Sequence, residues 1–132
     1  MTGVQEEKMD STRRVLIVDD DPDILGFVQV VLEEEGYQTL TARNGLEALN
    51  VVRRETPHLV LLDLYMPVLD GWGLSRALRD DEGLDVPIVV MTADQGAIGS
   101  VHERGLQGCI SKPFDLEELV SCVARFTSPS RV

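Results

Sequence analysis

Five short apolar runs along the chain predict β-strands. Three of them are almost purely apolar, which is typical of strands covered on both faces of a parallel sheet. These three runs are RRVLIV from Arg13, LVLL from Leu59 and PIVVM from Pro87. Two further strands are predicted at YQTLTA, from Tyr37, and at GCIS, from Gly108.

The longer segments between these runs predict five helices, and several carry capping signals. Asp21 is a suitable N-cap for the first helix, with Pro22 in its first turn and Gly36 as its C-terminal stop. The second and fifth helices each begin with capping-box spacing, in which the cap residue and the acid three positions later exchange hydrogen bonds. These pairs are Asn44 with Glu47 and Asp115 with Glu118.

Helical periodicity predicts which side chains face the sheet. The third helix is predicted from about Trp72 to Arg79, and glycines at positions 96, 99 and 105 make the fourth helix weak. In the first and fifth helices the apolar residues repeat at helical spacing. The predicted buried faces are Ile24, Phe27, Val28, Val31 and Leu32 in the first helix, and Leu116, Leu119, Val120 and Val123 in the fifth.

Strands that alternate with helices predict an α/β fold. Parallel strands need crossover helices, and right-handed crossovers cover both faces of the sheet, so we expect a doubly wound five-stranded parallel sheet. The length of 132 residues fits one domain. We predict this domain over residues 13–126, with flexible segments at residues 1–12 and 127–132.

The composition changes this picture mainly through its charge. The chain has 23 Asp and Glu against 12 Lys and Arg, a formal net charge of −11. Such a surface repels phosphate backbones and anionic lipid, so we expect no direct nucleic-acid binding and no membrane insertion.

The two cysteines, Cys109 and Cys122, make no disulfide framework, and the polar N-terminus has no signal-peptide pattern. We therefore expect a cytoplasmic protein.

Polar side chains follow four of the predicted strands. Asp19 and Asp20 come directly after the first strand, and Asp63 ends the third. Thr92 ends the fourth strand, and Lys112 follows the fifth. Because the carboxyl ends of parallel strands meet at one edge of a sheet, where α/β proteins bind ligands, we expect these five side chains to lie close together.

Three carboxylates at one edge need a counter-ion. Two unit charges about 4 Å apart repel by roughly 4 kcal/mol at an effective dielectric constant near 20. Oxygen ligands without His or Cys favour magnesium, which retains several waters. Magnesium beside a carboxylate and a lysine is suited to phosphoryl transfer, in which the Thr92 hydroxyl and the Ala93 amide would bind phosphoryl oxygens.

Four motifs together resemble the receiver domain of two-component response regulators, of the chemotaxis-regulator type. The motifs are VLIVDDDPDI, LVLLDLYMPVLDGW, VVMTA and SKPFD, in this order along the chain. Each motif is weak alone, whereas the ordered set is specific. The resemblance implies a flavodoxin-like fold with strand order 2-1-3-4-5.

The resemblance implies a phosphoacceptor and a metal site. Asp63 would accept the phosphoryl group. Asp20 would bind magnesium directly and Asp19 largely through water. Asp63 and the main-chain carbonyl of Tyr65 would complete the metal site.

The resemblance also implies the residues that bind and respond to the phosphoryl group. Thr92 would be the switch hydroxyl that moves toward this group, and Ala93 and Lys112 would contact its oxygens. Pro113 would follow Lys112 in a cis peptide bond.

Three positions differ from the family pattern or vary within it. Cys109 stands three residues before Lys112, where the family usually has Tyr or Phe, so an aromatic switch at this position is in doubt. Tyr65 and Asp94 lie two residues after Asp63 and Thr92, where the family varies its rate of self-dephosphorylation. The sequence does not set the sign of their effect.

The resemblance implies a function in phosphorelay signalling. The domain would take a phosphoryl group from the phosphohistidine of a sensor histidine kinase or a histidine phosphotransfer protein. Phosphorylation would alter the face made by the fourth helix, fifth strand and fifth helix, which an output protein would recognise; dimer formation stays open.

Beyond self-catalysed phosphorylation and dephosphorylation we expect no enzyme activity. We expect a stand-alone regulator rather than a receiver from a larger protein, because no effector domain follows Phe126.

Two alternatives remain at this point. An aspartyl-phosphate phosphatase of the haloacid dehalogenase type also places Asp after an apolar strand, but it needs a second acid two residues later, where this chain has Tyr65. A degenerate receiver would act as an unphosphorylated interaction module, and Cys109 is the residue that keeps this alternative open.

Overall fold

The computed structural model describes residues 13–127 of the chain. The strands are β1 (Arg14–Val18), β2 (Gln38–Ala42), β3 (Leu59–Asp63), β4 (Ile88–Thr92) and β5 (Gly108–Ser111). The helices are α1 (Pro22–Glu34), α2 (Gly45–Arg54), α3 (Gly71–Arg76), α4 (Gln95–Ile98) and α5 (Leu116–Thr127), and a π-helical turn (Ala77–Asp81) continues α3. The predicted flexible segment 1–12 lies outside the described residues, as does the predicted segment 127–132 except for Thr127, which belongs to α5.

The strands form one parallel sheet in the order β2-β1-β3-β4-β5. This order confirms the predicted doubly wound α/β fold. The register places Val18 beside Leu62 and Thr92 beside Ser111, so the carboxyl ends of neighbouring strands are nearly level. The residues that follow these strands therefore share one edge of the sheet.

The sheet separates two apolar layers, which explains the nearly pure apolar sequence of its central strands. Every residue of β3 and β4 is buried. Along β1, Leu16 and Val18 face the layer shared with α2 and α3, whereas Val15 and Ile17 face the layer shared with α1 and α5. Successive side chains of a strand point to opposite faces of the sheet. Because both faces are covered by helices, every residue of a central strand occupies a core position.

The predicted helix caps are present. Each cap side chain satisfies a backbone N–H that has no partner within the helix. The Gly36 backbone has φ 98°, a conformation that glycine adopts at little cost at the end of a helix. The cap bonds are Asp23 N to Asp21 Oδ1 (2.9 Å), Glu47 N to Asn44 Oδ1 (2.9 Å) and Glu118 N to Asp115 Oδ1 (2.8 Å).

Two predicted helix faces are wrong at their margins. Phe27, predicted in the core, is 41% exposed, and Leu25 is buried in its place. Leu116, also predicted in the core, is 48% exposed at the start of α5. Ile24 and Val120 are only partly buried and pack at the edge of the core. A helix spacing of 3.6 residues leaves the residues at the border of a face ambiguous, and tertiary packing decides their side.

The ends of two helices also differ from the prediction. α3 begins at Gly71, and its regular part ends at Arg76, where the π-helical turn takes over. α5 includes Thr127, whose hydroxyl donates a hydrogen bond to the Val123 carbonyl, so the predicted end at Phe126 is one residue short. None of the helices between residues 13 and 127 has the length and apolar character needed to cross a membrane.

Candidate functional site

The carboxyl ends of β1, β3, β4 and β5 bring the predicted polar residues to one edge. Asp19 follows β1, and its amide donates to the Ala42 carbonyl at the end of β2 over 3.1 Å. Asp63 and Thr92 are the last residues of β3 and β4, and Lys112 follows β5. The expected convergence of these side chains is therefore present in the fold.

A cluster of three carboxylates forms the centre of this edge. One carboxylate oxygen from each of Asp19, Asp20 and Asp63 lies within 4.8 Å of the other two. Asp19 is fully buried, Asp63 is 8% exposed and Asp20 is exposed. A set of hard oxygen ligands with one open side fits magnesium, which binds a few carboxylates and retains waters.

Lys112 neutralises part of this charge. Its Nζ lies 2.7 Å from Asp19 Oδ2 and 3.6 Å from Asp63 Oδ1. The shorter contact goes to the carboxylate that water does not reach, because a buried charge without a partner is costly. The other oxygen of Asp19 accepts a hydrogen bond of 2.9 Å from the Asp21 amide. Lys112 therefore bridges Asp19 and Asp63. The sequence had not indicated that Lys112 pairs with either carboxylate.

The pKa of Asp63 is raised above its ordinary value. Burial is the largest cause, followed by the negative charge of Asp19. The Lys112 charge and a hydrogen bond from the Tyr65 amide act in the opposite direction. The ionised form of Asp63 is thus disfavoured by burial and by Asp19, and a cation bound at this edge would favour it.

The loop after β3 holds Asp63 in place through close backbone contacts. The Gly71 amide donates to the Leu64 carbonyl over 2.7 Å. A side chain at Gly71 would meet the Asp63 carbonyl oxygen at 2.5 Å and Leu64 Cα at 2.7 Å, so only glycine fits. Asp70 caps α3 by accepting a hydrogen bond of 2.8 Å from the Gly73 amide.

Thr92 is almost fully buried, and its hydroxyl oxygen accepts a backbone hydrogen bond. Its Oγ1 accepts a hydrogen bond of 3.0 Å from the Asp94 amide. Its carbonyl accepts one of 2.8 Å from the Lys112 amide, which ties β4 to the loop after β5. The Lys112–Pro113 peptide bond is cis, as the resemblance implied.

Tyr65 and Asp94, which the sequence singled out separately, are joined. The Tyr65 hydroxyl donates to Asp94 Oδ2 over 2.5 Å. This bond is the main cause that lowers the pKa of Asp94 and raises the pKa of Tyr65. It links the loop after Asp63 to the loop after Thr92, a contact between residues 29 positions apart that no sequence spacing indicates.

Cys109 lies within β5, next to Val90, and is not part of the carboxylate cluster. Its side chain is partly buried against the apolar layer of α2 and α3, and burial raises the pKa of its thiol. Its effect on a phosphorylation switch stays a prediction.

An apolar groove of about 280 Å³ borders Lys112, and sequence reasoning missed it. Phe27 was expected in the core but lies in this groove, where its ring centroid is 6.4 Å from that of Phe114. The lining residues are Ile24, Phe27, Ala93, Lys112, Pro113 and Phe114. One sequence feature pointed to this groove: Phe114 lies only two residues after Lys112.

This set of strand-end carboxylates, buried threonine and bridging lysine can be compared with known proteins. The family model of the response regulator receiver domain matches residues 15–124. The chain belongs to this family. As a receiver domain it is a component of two-component signalling, and this assignment removes the haloacid dehalogenase alternative.

Curated and solved relatives agree with the receiver-domain assignment. The DNA-binding response regulator MtrA of Mycolicibacterium smegmatis is 42% identical over 118 residues, which cover 87% of this chain and 51% of MtrA. The chemotaxis protein CheY4 of Vibrio cholerae has a TM-score of 0.81 at 29% identity, covering 87% of this chain and 98% of CheY4. The receiver domain of a signal transduction histidine kinase from Syntrophus aciditrophicus has a TM-score of 0.79 at 34% identity, covering 89% of this chain and 91% of that domain.

The receiver domain spans about half the length of the curated relatives it matches. Because the matched MtrA carries DNA binding in its name, the expectation that this chain does not bind nucleic acid directly stays a prediction, as does its cytoplasmic location.

Proposed function

We propose that this receiver domain accepts a phosphoryl group on Asp63 from a phosphohistidine of a sensor kinase or phosphotransfer protein. The observation that carries the proposal is the Lys112 ammonium between buried Asp19 and Asp63, within a cluster of three carboxylates. A purely structural ion pair needs one carboxylate, whereas Lys112 contacts two and a third, Asp20, lies in the same cluster. The surplus of negative charge suits a site that binds a cation together with a phosphoryl group.

In the proposed reaction an Asp63 carboxylate oxygen attacks the phosphorus atom of the phosphohistidine. The P–O bond forms as the P–N bond breaks, and the electron pair of the broken bond stays on the imidazole nitrogen. A proton already on the other ring nitrogen leaves the departing imidazole neutral. Lys112 is positioned to contact a phosphoryl oxygen, because its Nζ is 3.6 Å from Asp63 Oδ1.

Asp19, Asp20 and Asp63 would hold magnesium, with the Tyr65 carbonyl as a further ligand. When bound, magnesium would supply positive charge to the phosphoryl oxygens. The raised pKa of Asp63 supports this assignment, because burial and the nearby charge of Asp19 disfavour its ionised form, and a bound cation would favour that form. The Thr92 hydroxyl and the Ala93 amide would complete the contacts to the phosphoryl group.

The apolar groove beside Lys112 supports docking of the phosphodonor protein. A partner that delivers a phosphoryl group to Asp63 must contact the surface around this edge. Exposed Phe27 and partly buried Phe114 supply apolar area there, and desolvated aromatic side chains dominate binding energy at many interfaces. The output partner would contact the face made by α4, β5 and α5.

Phosphorylation itself tests the proposal. The full chain is incubated with acetyl phosphate and magnesium, and its intact mass is measured. We expect one added phosphoryl group that is lost at alkaline pH, as is typical of an acyl phosphate. Asp63→Asn should abolish the added mass, whereas Asp23→Asn, which changes an exposed acid in the first turn of α1, should not.

Two results would contradict the proposal. Phosphorylation that persists in Asp63→Asn would place the acceptor elsewhere. A lack of phosphorylation in the parent chain, with either acetyl phosphate or a phosphorylated histidine phosphotransfer protein, would support the degenerate receiver that acts without phosphorylation.

A further inference from the structure

A second charged site lies on α3, outside the carboxylate cluster. It is a groove of about 250 Å³ lined by Trp72, Ser75, Arg76, Arg79, Asp80 and Arg104. Three arginines against one aspartate leave a surplus of two positive charges in a chain whose formal net charge is −11. The groove shares no residue with the carboxylate cluster or with the apolar groove beside Lys112.

Arg79 is fixed at the base of this groove. Its Nη1 donates hydrogen bonds of 2.8 Å to the carbonyls of Leu84 and Val86. Its Nη2 donates one of 2.8 Å to Gln107 Oε1, which also accepts from the Ile88 amide. These partners are neutral, so they hold the guanidinium in place without cancelling its charge.

Arg104 is held on the opposite wall by an aromatic ring. Its guanidinium carbon lies 4.4 Å from the centre of the Trp72 ring, at the distance of a cation–π contact. A cation–π contact uses the charge of the guanidinium and does not consume its N–H groups, which can still bind an oxyanion.

Arg76 completes the set and has an unused guanidinium. It is exposed, and within residues 13–127 its side chain has no hydrogen bond or ion pair. Over the same residues no carboxylate lies within 4.0 Å of a guanidinium nitrogen of Arg79 or Arg104, although Asp80 borders the groove. The neighbouring acid Glu82 is instead paired with Arg53 at 2.9 Å.

The π-helical turn brings these groups together. Within it the Glu82 amide donates to the Ala77 carbonyl over 3.1 Å, a bond that spans five residues instead of four. The wider turn carries Arg79 and Asp80, and such turns occur frequently at functional sites. Arg76 precedes this turn and Arg104 follows α4, and all three arginines line the same groove.

We propose that this groove binds a compact phosphate-bearing small molecule. Arginine N–H groups match phosphate oxygens in geometry and charge, and fixed guanidiniums lose little conformational entropy on binding. An extended acidic peptide would require positive charges spaced along a path, whereas these converge. The proposal stands apart from phosphorylation of Asp63, since the groove needs neither magnesium nor the acceptor carboxylate.

Titration with inorganic pyrophosphate tests this site. Calorimetry is performed on the full chain in metal-depleted buffer at constant ionic strength, so that the carboxylate cluster repels the anion. Trp72, the only tryptophan of the chain, reports binding independently by fluorescence. We expect saturable binding, together with a change in Trp72 emission, because an anion that contacts Arg104 alters its stacking on the ring.

A pair of double variants separates the groove from general charge. Arg76→Gln with Arg104→Gln removes two groove charges, and Arg43→Gln with Arg54→Gln removes two charges elsewhere on the surface. We expect the first double variant to weaken pyrophosphate binding by about tenfold or more, since charged hydrogen bonds are lost. The second should stay within about twofold of the parent, because long-range charge is screened at moderate salt.

Three results would overturn the proposal. The first is an absence of saturable binding in the parent chain. The second is equal weakening in both double variants, which would indicate only nonspecific counter-ion binding. The third is tighter binding of a short polyglutamate peptide than of pyrophosphate, which would assign the groove to an acidic protein partner. Circular dichroism of each variant checks that the fold is retained.

Discussion

Asp63 combines burial, a neighbouring like charge and only partial neutralisation by Lys112. Its folded-state pKa is therefore above its unfolded value. A carboxyl group shifted in this direction contributes its stability fully below the unfolded pKa, and this contribution is lost as the pH rises through the folded pKa. At neutral pH without magnesium, ionised Asp63 destabilises the fold.

We therefore expect Asp63→Asn to unfold at higher urea concentration than the parent at about pH 7 in metal-free buffer. The gain should be on the order of 1 kcal/mol, the scale of one partly neutralised carboxylate repulsion. It should shrink as the pH falls through the raised pKa of Asp63, because the parent carboxyl then becomes protonated. A variant less stable than the parent at neutral pH would mean that Lys112 fully compensates the cluster.

The Tyr65–Asp94 hydrogen bond leads to a second prediction at the scale of single residues. Tyr65→Phe keeps the ring but releases the Asp94 carboxylate, which can then accept a proton from a water molecule near the acceptor. We expect the acyl phosphate on Asp63 to hydrolyse several-fold faster, well below the roughly 10²–10⁴-fold that a fully positioned general base supplies. The pKa of Asp94 should also rise, since its main lowering contact is lost.

Radiolabel loss after removal of the phosphodonor measures the hydrolysis rate, and carbonyl NMR follows Asp94. The matched control is Tyr65→Phe combined with Asp94→Asn, which should restore a slow rate because the freed group no longer binds a proton. Slower hydrolysis in Tyr65→Phe would show that the tyrosine hydroxyl, rather than Asp94, orients water.

At the scale of elements, the junction of β3 and α3 positions the acceptor through backbone contact. Gly71→Ala would place a methyl group 2.5 Å from the Asp63 carbonyl oxygen, and neither the strand nor the helix can yield easily. We expect a loss of about 3 kcal/mol of unfolding free energy, at the upper end for overpacking. Phosphorylation from acetyl phosphate should slow as well.

Gly26→Ala is the control for this change. Gly26 lies inside α1 with no atom within 4 Å of an added side chain. Alanine there should stabilise the protein by about 0.5–1 kcal/mol through helix propensity alone. Urea unfolding measures the stability of both variants. If Gly71→Ala stabilised the protein as Gly26→Ala does, helix propensity rather than the Asp63 contact would govern residue 71.

At the scale of the whole molecule, an excess of acidic residues destabilises the compact state by self-repulsion. Magnesium that binds the carboxylate cluster only in the folded state should raise the melting temperature as occupancy rises. We expect a saturable increase in the parent and almost none in Asp20→Ala. Sodium chloride at matched ionic strength controls for screening, and an equal increase in Asp20→Ala would place magnesium elsewhere.

The sequence alone was sufficient for the architecture and for the convergence of the site. Runs of apolar residues could only be strands covered on both faces, and the caps at Asp21, Asn44 and Asp115 set where helices begin. Because every parallel strand ends at the same edge, Asp19, Asp63 and their partners had to meet there. These features depend on local chemistry and on topology, and both can be read from residue order.

Only the tertiary structure decided which side chains touch. Lys112 bonds most closely to Asp19 because that carboxylate is fully buried, and burial depends on the whole sheet. Phe27 lies at the border of its helix face, where small rotations decide between core and surface. Arg76, Arg79 and Arg104 look like ordinary surface charges in the sequence. They converge because a π-helical turn and a stack on Trp72 place them together, and periodicity carries no information about either contact.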